Sequence, residues 1–131
     1  MRRTSIFGIM MCTALAFWAG AALPARDWLS RPRTGAHLEL LVFEREACTY
    51  CEVFRRDVAP RYTRSTIAAD APLRFIDIDK VDMGRVGLRS KLDVLPTAVL
   101  MKDGIEVDRI PGYTGPDIFF QVVPLLLERA R

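Results

Sequence analysis

Two cysteines stand three positions apart in Ala47-Cys48-Thr49-Tyr50-Cys51-Glu52-Val53-Phe54. The run before them, Leu38-Glu39-Leu40-Leu41-Val42-Phe43, is short and apolar, and it predicts a buried strand. After Thr49 the apolar residues recur at the spacing of one helix face, which predicts a helix. We therefore expect Cys48 at or just before a helix N-terminus and Cys51 inside the first turn.

This placement favours reactive thiols, because the partial positive charge and free N–H groups of a helix N-terminus favour a thiolate. A strand, a C-x-x-C motif and a helix together indicate thiol–disulfide chemistry. We predict that Cys48 is the exposed nucleophile and that Cys51 is the more buried thiol that resolves the mixed disulfide. A plain structural disulfide is the alternative. Closing so short a loop stabilises a fold by only about 2 kcal/mol, against about 3 kcal/mol for a fifteen-residue loop, so redox use is favoured.

Metal binding is a weaker interpretation of the same cysteines. Two thiolates fall short of the four ligands of structural zinc, and the only histidine, His37, lies well before the motif. The third cysteine, Cys12, lies in an apolar N-terminal stretch that processing would remove. We therefore predict no metal and no separate cofactor, and the Cys48–Cys51 pair is itself the redox group.

Length and composition indicate one globular domain. The chain has 131 residues, of which 50% are hydrophobic and 27% are charged. Its net charge of +3 is small, and there is no basic run interleaved with aromatic residues. We predict no nucleic-acid binding, and a monomer is the default expectation.

Residues 1–25 have a different composition from the remainder. Two arginines are followed by an uncharged apolar stretch and then by clusters of small residues, which is the order of a secretory signal. Cleavage is expected after Ala21 or Ala25, leaving 26–131 as a domain in an oxidising compartment such as the periplasm. The alternative is an uncleaved membrane anchor, because Ile6–Leu23 is long enough, at the short end, to span a bilayer.

The helix that carries the cysteines is predicted to reach Arg64, with a kink or an end at Pro60. A loop is then expected over Ser65–Pro72, followed by an alternating strand over Leu73–Asp79. Asp82 can cap a short, weak helix that would continue through Leu92.

The C-terminal part has a proline, Pro96, immediately before an apolar strand. Asp103-Gly104 predicts a type I′ hairpin to a second strand over Ile105–Ile110. A final helix is predicted from Pro116 to about Arg129, with more apolar residues than one stripe can hold. This order indicates an α/β fold in which the first crossover gives a parallel strand pair and the hairpin adds antiparallel strands.

These features resemble the thioredoxin superfamily over roughly residues 38–130. The matching segments are Cys48-Thr49-Tyr50-Cys51 after a strand, Leu95-Pro96-Thr97 before a strand, the Asp103-Gly104 hairpin, and Gly112 before the last helix. The resemblance implies a thioredoxin-like fold, with a central mixed sheet of about four strands flanked by helices. It also implies that Pro96 is cis, lies against the active-site disulfide, and has neighbouring backbone that pairs with the substrate. The candidate substrate-binding residues are Thr49, Tyr50, Leu95, Pro96 and Thr97.

Within the superfamily the chain resembles the SoxS-type periplasmic thioredoxins of bacterial sulfur-oxidation systems. The shared segments are Val58-Ala59-Pro60-Arg61-Tyr62, Ala71-Pro72-Leu73-Arg74 and Ile110-Pro111-Gly112-Tyr113. The resemblance implies a periplasmic reductant of a protein disulfide or blocked cysteine, with a sulfur carrier protein as the candidate substrate. Its expected electron donor is a membrane thiol transporter. A disulfide oxidase or isomerase, and a non-catalytic binding module of the same fold, remain open as alternatives.

The sequence also departs from the family pattern. Val42 replaces the buried aspartate found six residues before the first cysteine of thioredoxin, and Glu44 is the nearest acidic residue. Whether Glu44 takes over proton transfer stays open at this point. Arg55 and Arg56 fall on the cysteine helix, either to raise the local positive potential or simply as a solvated polar face. Tyr113 either lines a substrate groove with Tyr50 or packs in its loop.

Overall fold

The computed structural model describes residues 37–130 of the chain. Within that range the strands are β1 (Leu38–Glu44), β2 (Leu73–Asp77), β3 (Thr97–Lys102) and β4 (Ile105–Pro111), and the α-helices are α1 (Thr49–Asp57), α2 (Ala59–Thr63), α3 (Ile67–Asp70) and α4 (Pro116–Ala130). The strand order is β2-β1-β3-β4. β1 pairs with β2 in parallel, and the other two pairs are antiparallel. The predicted mixed sheet flanked by helices is confirmed, while the expected signal at 1–25 lies outside the described residues.

One face of the sheet and three helices enclose the main hydrophobic core. Its sheet residues alternate along β1 and β3, as expected for strands whose every second side chain points to one face. The core residues are Leu40, Val42, Ala98 and Leu100 from the sheet, Phe54 from α1, Val58 between α1 and α2, Tyr62 from α2, Ala71 just after α3, and Phe119, Val123, Leu126, Leu127 and Ala130 from α4. The surplus apolar residues of α4, Ile118 and Leu125, are exposed, so the helix buries one broad face and leaves these two outside.

The β3–β4 hairpin turns at Asp103-Gly104, as predicted. Both residues have positive φ, 52° and 81°, which is the requirement of a type I′ turn. Further along, the pairing shifts by one residue, because Met101 lies opposite Glu106 whereas Leu100 lies opposite Asp108. Val107 is therefore an extra residue in β4, and the hairpin contains a β-bulge.

Two predicted segments between β1 and β2 differ from the structure. The cysteine helix ends at Asp57 and a second helix, α2, continues the course to Thr63. Pro60 lies in the first turn of α2, where its missing N–H leaves no hydrogen bond unmade. The predicted loop over Ser65–Pro72 is wrong, because the single turn α3 forms within it.

The predicted helix from Asp82 through Leu92 is also wrong. Asp82 does act as a cap, accepting a hydrogen bond from the Gly84 N–H at 3.0 Å, but only a 3₁₀ turn over Met83–Arg85 follows. Gly87 has a φ of +64°, which ends helical geometry, and its carbonyl accepts from the Glu106 N–H at 3.1 Å. The backbone at Gly87 is thus hydrogen-bonded to β4, and the helix does not continue beyond the 3₁₀ turn.

Candidate active site

The two cysteines form a disulfide at the start of α1, with their Cα atoms 5.2 Å apart. Cys48 is the N-cap residue, and its Sγ accepts a hydrogen bond from the Cys51 N–H at 3.2 Å. Cys48 is half-buried, whereas Cys51 is only 3% exposed. The sulfur that a partner protein can reach is therefore that of Cys48, and it lies where the N–H groups of α1 favour a thiolate.

The chain reaches Cys48 through a tight charged turn. β1 ends at Glu44, and Ala47 adopts a φ of 59°, in the left-handed region that few residues other than glycine occupy. Arg45 is joined to Asp79, just beyond β2, by two hydrogen bonds of 2.8 and 3.1 Å. The turn before the nucleophile is thereby tied to the end of the neighbouring parallel strand.

A cluster of aromatic rings fixes α1 to the rest of the protein. Phe54 is 1% exposed. Its ring meets Phe75 of β2, Phe119 of α4 and Tyr113 edge-on, at centroid distances of 6.1, 5.0 and 5.5 Å. Edge-to-face contacts of this kind add stabilisation beyond the area they bury. The position of both cysteines thus depends on apolar packing one helical turn further along α1.

Glu44 and Arg55 form a two-pronged ion pair beside α1. The guanidinium of Arg55 also lies 3.7 Å from the ring centroid of Phe75. The hydrogen bonds that Arg55 donates to Glu44 raise the pKa of Arg55 above its ordinary value. Glu44 is thus held by an arginine, and Val42, at the position of the family's buried aspartate, is fully buried.

The predicted substrate-binding residues lie at one end of the sheet, together with the cysteines. Thr97 at the start of β3 is paired with Phe43 near the end of β1, so the residues before β3 and the residues after β1 share that end. Thr49 and Tyr50 are exposed in the first turn of α1, and the Tyr50 side chain is 65% exposed. The structure therefore brings the α1 candidates and the β3 candidates to the same end of the molecule.

The Leu95–Pro96 peptide bond is cis, as the resemblance implies. Pro96 is fully buried and Leu95 is half-buried. The Thr97 side chain is buried as well, and its hydroxyl donates to the Val94 carbonyl at 2.7 Å. Any contact between Thr97 and a substrate would therefore involve its backbone, since the hydroxyl already has a partner inside the protein.

A third segment reaches the same end through β4, whose last residue, Pro111, pairs with Thr97. Gly112 follows with a φ of +72°, and a Cβ on it would lie 3.8 Å from the exposed side chain of Val94. Tyr113 packs on Phe54 through its ring, and its hydroxyl is buried. Of the two interpretations of Tyr113, packing in its loop is therefore the correct one. Tyr50, in contrast, is exposed to solvent.

Most charges near the site are neutralised in pairs. Arg56 binds Asp57 through two hydrogen bonds, and this contact lowers the pKa of Asp57. Lys80 likewise lowers the pKa of Asp77. His37 makes backbone contacts with Asp103 at the far end of β3. In the described part of the chain no three His, Cys, Asp or Glu residues come together as metal ligands would.

Sequence reasoning found the cysteines and the cis-proline but missed two ion pairs, one beside α1 and one on β4. Glu44 and Arg55 are eleven positions apart, and only the return of the chain through α1 brings them together. Glu106 and Arg109 form another pair on β4, with contacts of 2.5 and 2.6 Å. No sequence signal could have revealed the second pair, because residues three apart on a regular strand point to opposite faces.

A redox-competent C-x-x-C at a helix N-terminus, beside a cis-proline at the same end of a mixed sheet, defines a thiol–disulfide oxidoreductase with a thioredoxin fold. The family comparison agrees, since the family model described as a thioredoxin-like domain matches residues 32–126. The chain belongs to this family, and proteins with thiols or disulfides are its class of substrate.

Among solved structures, the chain is similar to the periplasmic thioredoxin SoxS from Paracoccus pantotrophus in its reduced form. The two share 29% identity with a TM-score of 0.68, and the match covers 72% of this chain and all of the other. A thioredoxin from Halobacterium salinarum matches with 21% identity and a TM-score of 0.53, over 68% of this chain and 74% of its own. Thioredoxin-2 of a malaria parasite matches with 14% identity and a TM-score of 0.56, over 73% and 89%. The last two likenesses concern the fold alone, and no curated protein sequence matches the chain significantly.

Proposed function

We propose that this protein is a periplasmic reductant that keeps a cysteine-bearing carrier protein of a sulfur-oxidation system in its working state. The observation that supports this most directly is the 29% identity to a periplasmic thioredoxin whose whole length is matched. The signal-like composition of residues 1–25 supports export. Within residues 37–130 no helix is long and apolar enough to cross a membrane.

The reaction follows from the unequal burial of the two sulfurs. The Cys48 thiolate attacks one sulfur of the substrate disulfide, forms a mixed disulfide and releases the other substrate sulfur as a thiolate. The Cys51 thiolate, three residues along the same helix, then attacks Cys48 Sγ and releases the second substrate sulfur. Two electrons have passed to the substrate, and the protein is left with the Cys48–Cys51 disulfide that the structure contains.

The groups around the sulfurs have separate tasks in this scheme. The α1 N–H groups stabilise the Cys48 thiolate that attacks the substrate disulfide. Thr49, Tyr50 and the Leu95–Thr97 segment contact the polypeptide on either side of the substrate disulfide. Return to the dithiol form requires two electrons, for which a membrane thiol transporter is the proposed donor.

Trapping tests the partner. In a Cys51→Ser variant the mixed disulfide on Cys48 cannot be resolved, so an adduct with the carrier protein should accumulate and should disappear on reduction. A Cys48→Ser variant is the matched control and should trap nothing. If the Cys51→Ser variant gives no adduct in the periplasm of cells that express the carrier, the carrier assignment fails. If it gives none with any protein, a binding module with a static disulfide becomes the better account.

The reduction potential tests the direction of the reaction. A reductant should have a potential near that of thioredoxin, about −270 mV or lower, whereas about −120 to −180 mV is typical of an oxidase or isomerase. Equilibration of the Cys48–Cys51 pair with dithiothreitol or glutathione gives the value. A potential in the upper range would replace the reductant proposal by that alternative, for which the Thr49-Tyr50 dipeptide leaves room. Deleting the membrane transporter should leave Cys48 wholly oxidised in cells if the proposed donor is right.

A further inference from the structure

Residues 87–96, which we call the proline loop, lead from the 3₁₀ turn to the cis-proline and are fastened to the edge strand β4. The Glu106 N–H donates to the Gly87 carbonyl at 3.1 Å, and the Glu106 carboxylate accepts from the Arg89 N–H at 2.7 Å. Arg109 donates to the carbonyls of Lys91 and Ser90 at 3.1 and 3.2 Å. Glu106 and Arg109 of β4 thus bind backbone groups of four loop residues, Gly87, Arg89, Ser90 and Lys91.

The two residues also bind each other. Arg109 donates two hydrogen bonds, of 2.5 and 2.6 Å, to the carboxylate of Glu106. The Glu106 side chain is 3% exposed and that of Arg109 is 19% exposed, so the pair is withdrawn from water. The hydrogen bond from Arg109 lowers the pKa of Glu106, which keeps it ionised at neutral pH. We call this pair the Glu106–Arg109 clamp.

The β-bulge makes the clamp possible. On a regular strand Glu106 and Arg109 would face opposite sides of the sheet. The extra residue, Val107, changes the alternation, so that Glu106 lies opposite Met101 and Arg109 lies opposite Val99, which share one face of β3. Bulges commonly redirect a side chain beside a functional site. Here the bulge directs two opposite charges towards one loop.

We propose that Glu106 and Arg109 are positioning residues that set the Leu95–Pro96 segment for binding of a protein substrate. The clamp holds the proline loop up to Lys91, and the loop then reaches Val94, whose carbonyl is bound by Thr97 and whose side chain faces Gly112. A fixed loop presents the backbone beside Pro96 in one place relative to Cys48. The proposal rests on the expected role of Leu95–Thr97 in contacting polypeptide flanking the disulfide, and it leaves the thiol chemistry itself to α1.

A comparison of large and small disulfide substrates tests this role. Arg109→Lys keeps the positive charge beside Glu106 but cannot make the fork of contacts to a carboxylate and two carbonyls. With dithiothreitol as the electron source, this variant should raise the KM for insulin about tenfold and change kcat by less than about twofold. Its reduced form should react with the small aromatic disulfide DTNB at the wild-type rate within about twofold, because that probe needs no peptide-binding segment. Arg129→Lys, which alters the exposed pair with Asp108, is the matched control and should change neither reaction.

An unchanged KM for insulin, or equal losses with insulin and DTNB, would overturn the proposal. If Arg109→Lys does not fold, the double variant Glu106→Gln with Arg109→Gln removes both charges and should give the same split between the two substrates. Failure of both variants to fold would make the clamp a stability element and also refute the positioning role. Since insulin and DTNB are generic probes, the result does not depend on whether the sulfur carrier is the natural substrate.

Discussion

Two segments meet at the active end of the molecule, and they are attached to the sheet in different ways. Helix α1, with the disulfide, is attached by the ring of Phe54, which is buried among three other aromatic rings. The proline loop is largely exposed and is attached by the Glu106–Arg109 clamp. The nucleophile therefore depends mainly on apolar packing, with the partly exposed Arg55–Glu44 ion pair beside it, whereas the substrate-binding segment depends on a charged pair withdrawn from water.

The difference separates stability from recognition. The rings around Phe54 belong to the main core, so a change there affects the whole fold together with the cysteines. The clamp contacts a loop outside that core, so a conservative change there can displace the loop while the sheet stays folded. A protein built this way can adjust substrate binding without disturbing the helix that sets thiol reactivity.

The largest effect is expected from Phe54→Ala, which removes the ring that Phe75, Tyr113 and Phe119 contact. Truncation of a buried phenylalanine typically lowers the free energy of unfolding by about 3–5 kcal/mol. Urea unfolding of the oxidised protein measures it. Ile118→Ala on α4, whose side chain is 47% exposed, is the control and should change the unfolding free energy by no more than about 0.5 kcal/mol. Similar shifts for the two variants would contradict the assignment of α1 attachment to the Phe54 cluster.

A pair of glycine substitutions should show how tightly the proline loop lies against the hairpin. Gly87 and Gly104 both have positive φ, so alanine at either costs about 1–2 kcal/mol in backbone strain. A Cβ on Gly87 would also come within 2.2 Å of the Gly104 carbonyl oxygen, whereas a Cβ on Gly104 would meet nothing within 4 Å. Gly87→Ala should therefore be the more destabilising by about 1–3 kcal/mol in urea unfolding, in the range of overpacking costs. Equal losses would mean that the loop moves away from the hairpin at no cost.

The same contrast explains how far the sequence could predict the structure. The strand before Cys48, the α1 face containing Phe54, and the Asp103-Gly104 hairpin follow local rules of periodicity and turn chemistry, and each is confirmed. The cis form of Pro96 followed from the family resemblance and is also found.

Two of the failures depend on contacts between distant residues. The predicted helix through Leu92 was wrong because Gly87 bonds to β4 instead of continuing the turn, and β4 is not adjacent in sequence. The clamp was missed because it requires the bulge at Val107, and a bulge leaves no mark in the alternation of apolar residues. Local sequence patterns thus predicted the apolar face by which α1 packs on the core. The clamp that binds the proline loop could be recognised only in the folded structure.

Two tyrosines whose hydroxyls are buried, Tyr62 and Tyr113, allow a test among the rings that pack around Phe54 and Phe119. The Tyr62 hydroxyl donates to the Ala71 carbonyl at 2.7 Å, whereas the Tyr113 hydroxyl is buried without a protein partner among the described residues. Tyr62→Phe should lower the free energy of unfolding by about 1 kcal/mol, since it removes a made hydrogen bond. Tyr113→Phe should change it by no more than about 0.5 kcal/mol, because the ring contact with Phe54 is kept. A larger loss for Tyr113→Phe would show that its hydroxyl does have a partner.

The smallest effect is expected from the pH dependence of the clamp. Arg109 lowers the pKa of Glu106 from its ordinary value of 4.5, against the opposing effect of burial. Because the folded-state pKa is the lower one, the ionised Glu106 contributes stability that is fully present above the unfolded-state pKa and is lost as the pH falls through the folded-state pKa. The difference in unfolding free energy between wild type and Glu106→Gln should therefore be constant near neutral pH and should shrink below about pH 4.5. Urea unfolding at a series of pH values from 7 to 3 measures this difference.

Salt provides the control for that experiment, because a pair withdrawn from water is screened much less than exposed charges are. The pH dependence of this difference in unfolding free energy should therefore persist when the ionic strength is raised to about 0.5 M.

The KM of the wild-type protein for insulin should also rise over the same acidic range. The rate of its reaction with DTNB, compared at matched thiolate fractions, should not change with it. If the stability difference grew as the pH fell, Glu106 would be bound less favourably in its ionised form, and the charged attachment of the proline loop would be refuted. If high salt abolished the pH-dependent difference in unfolding free energy between wild type and Glu106→Gln, the clamp would be exposed to solvent. An exposed pair could not hold the proline loop as firmly as the packed rings hold α1.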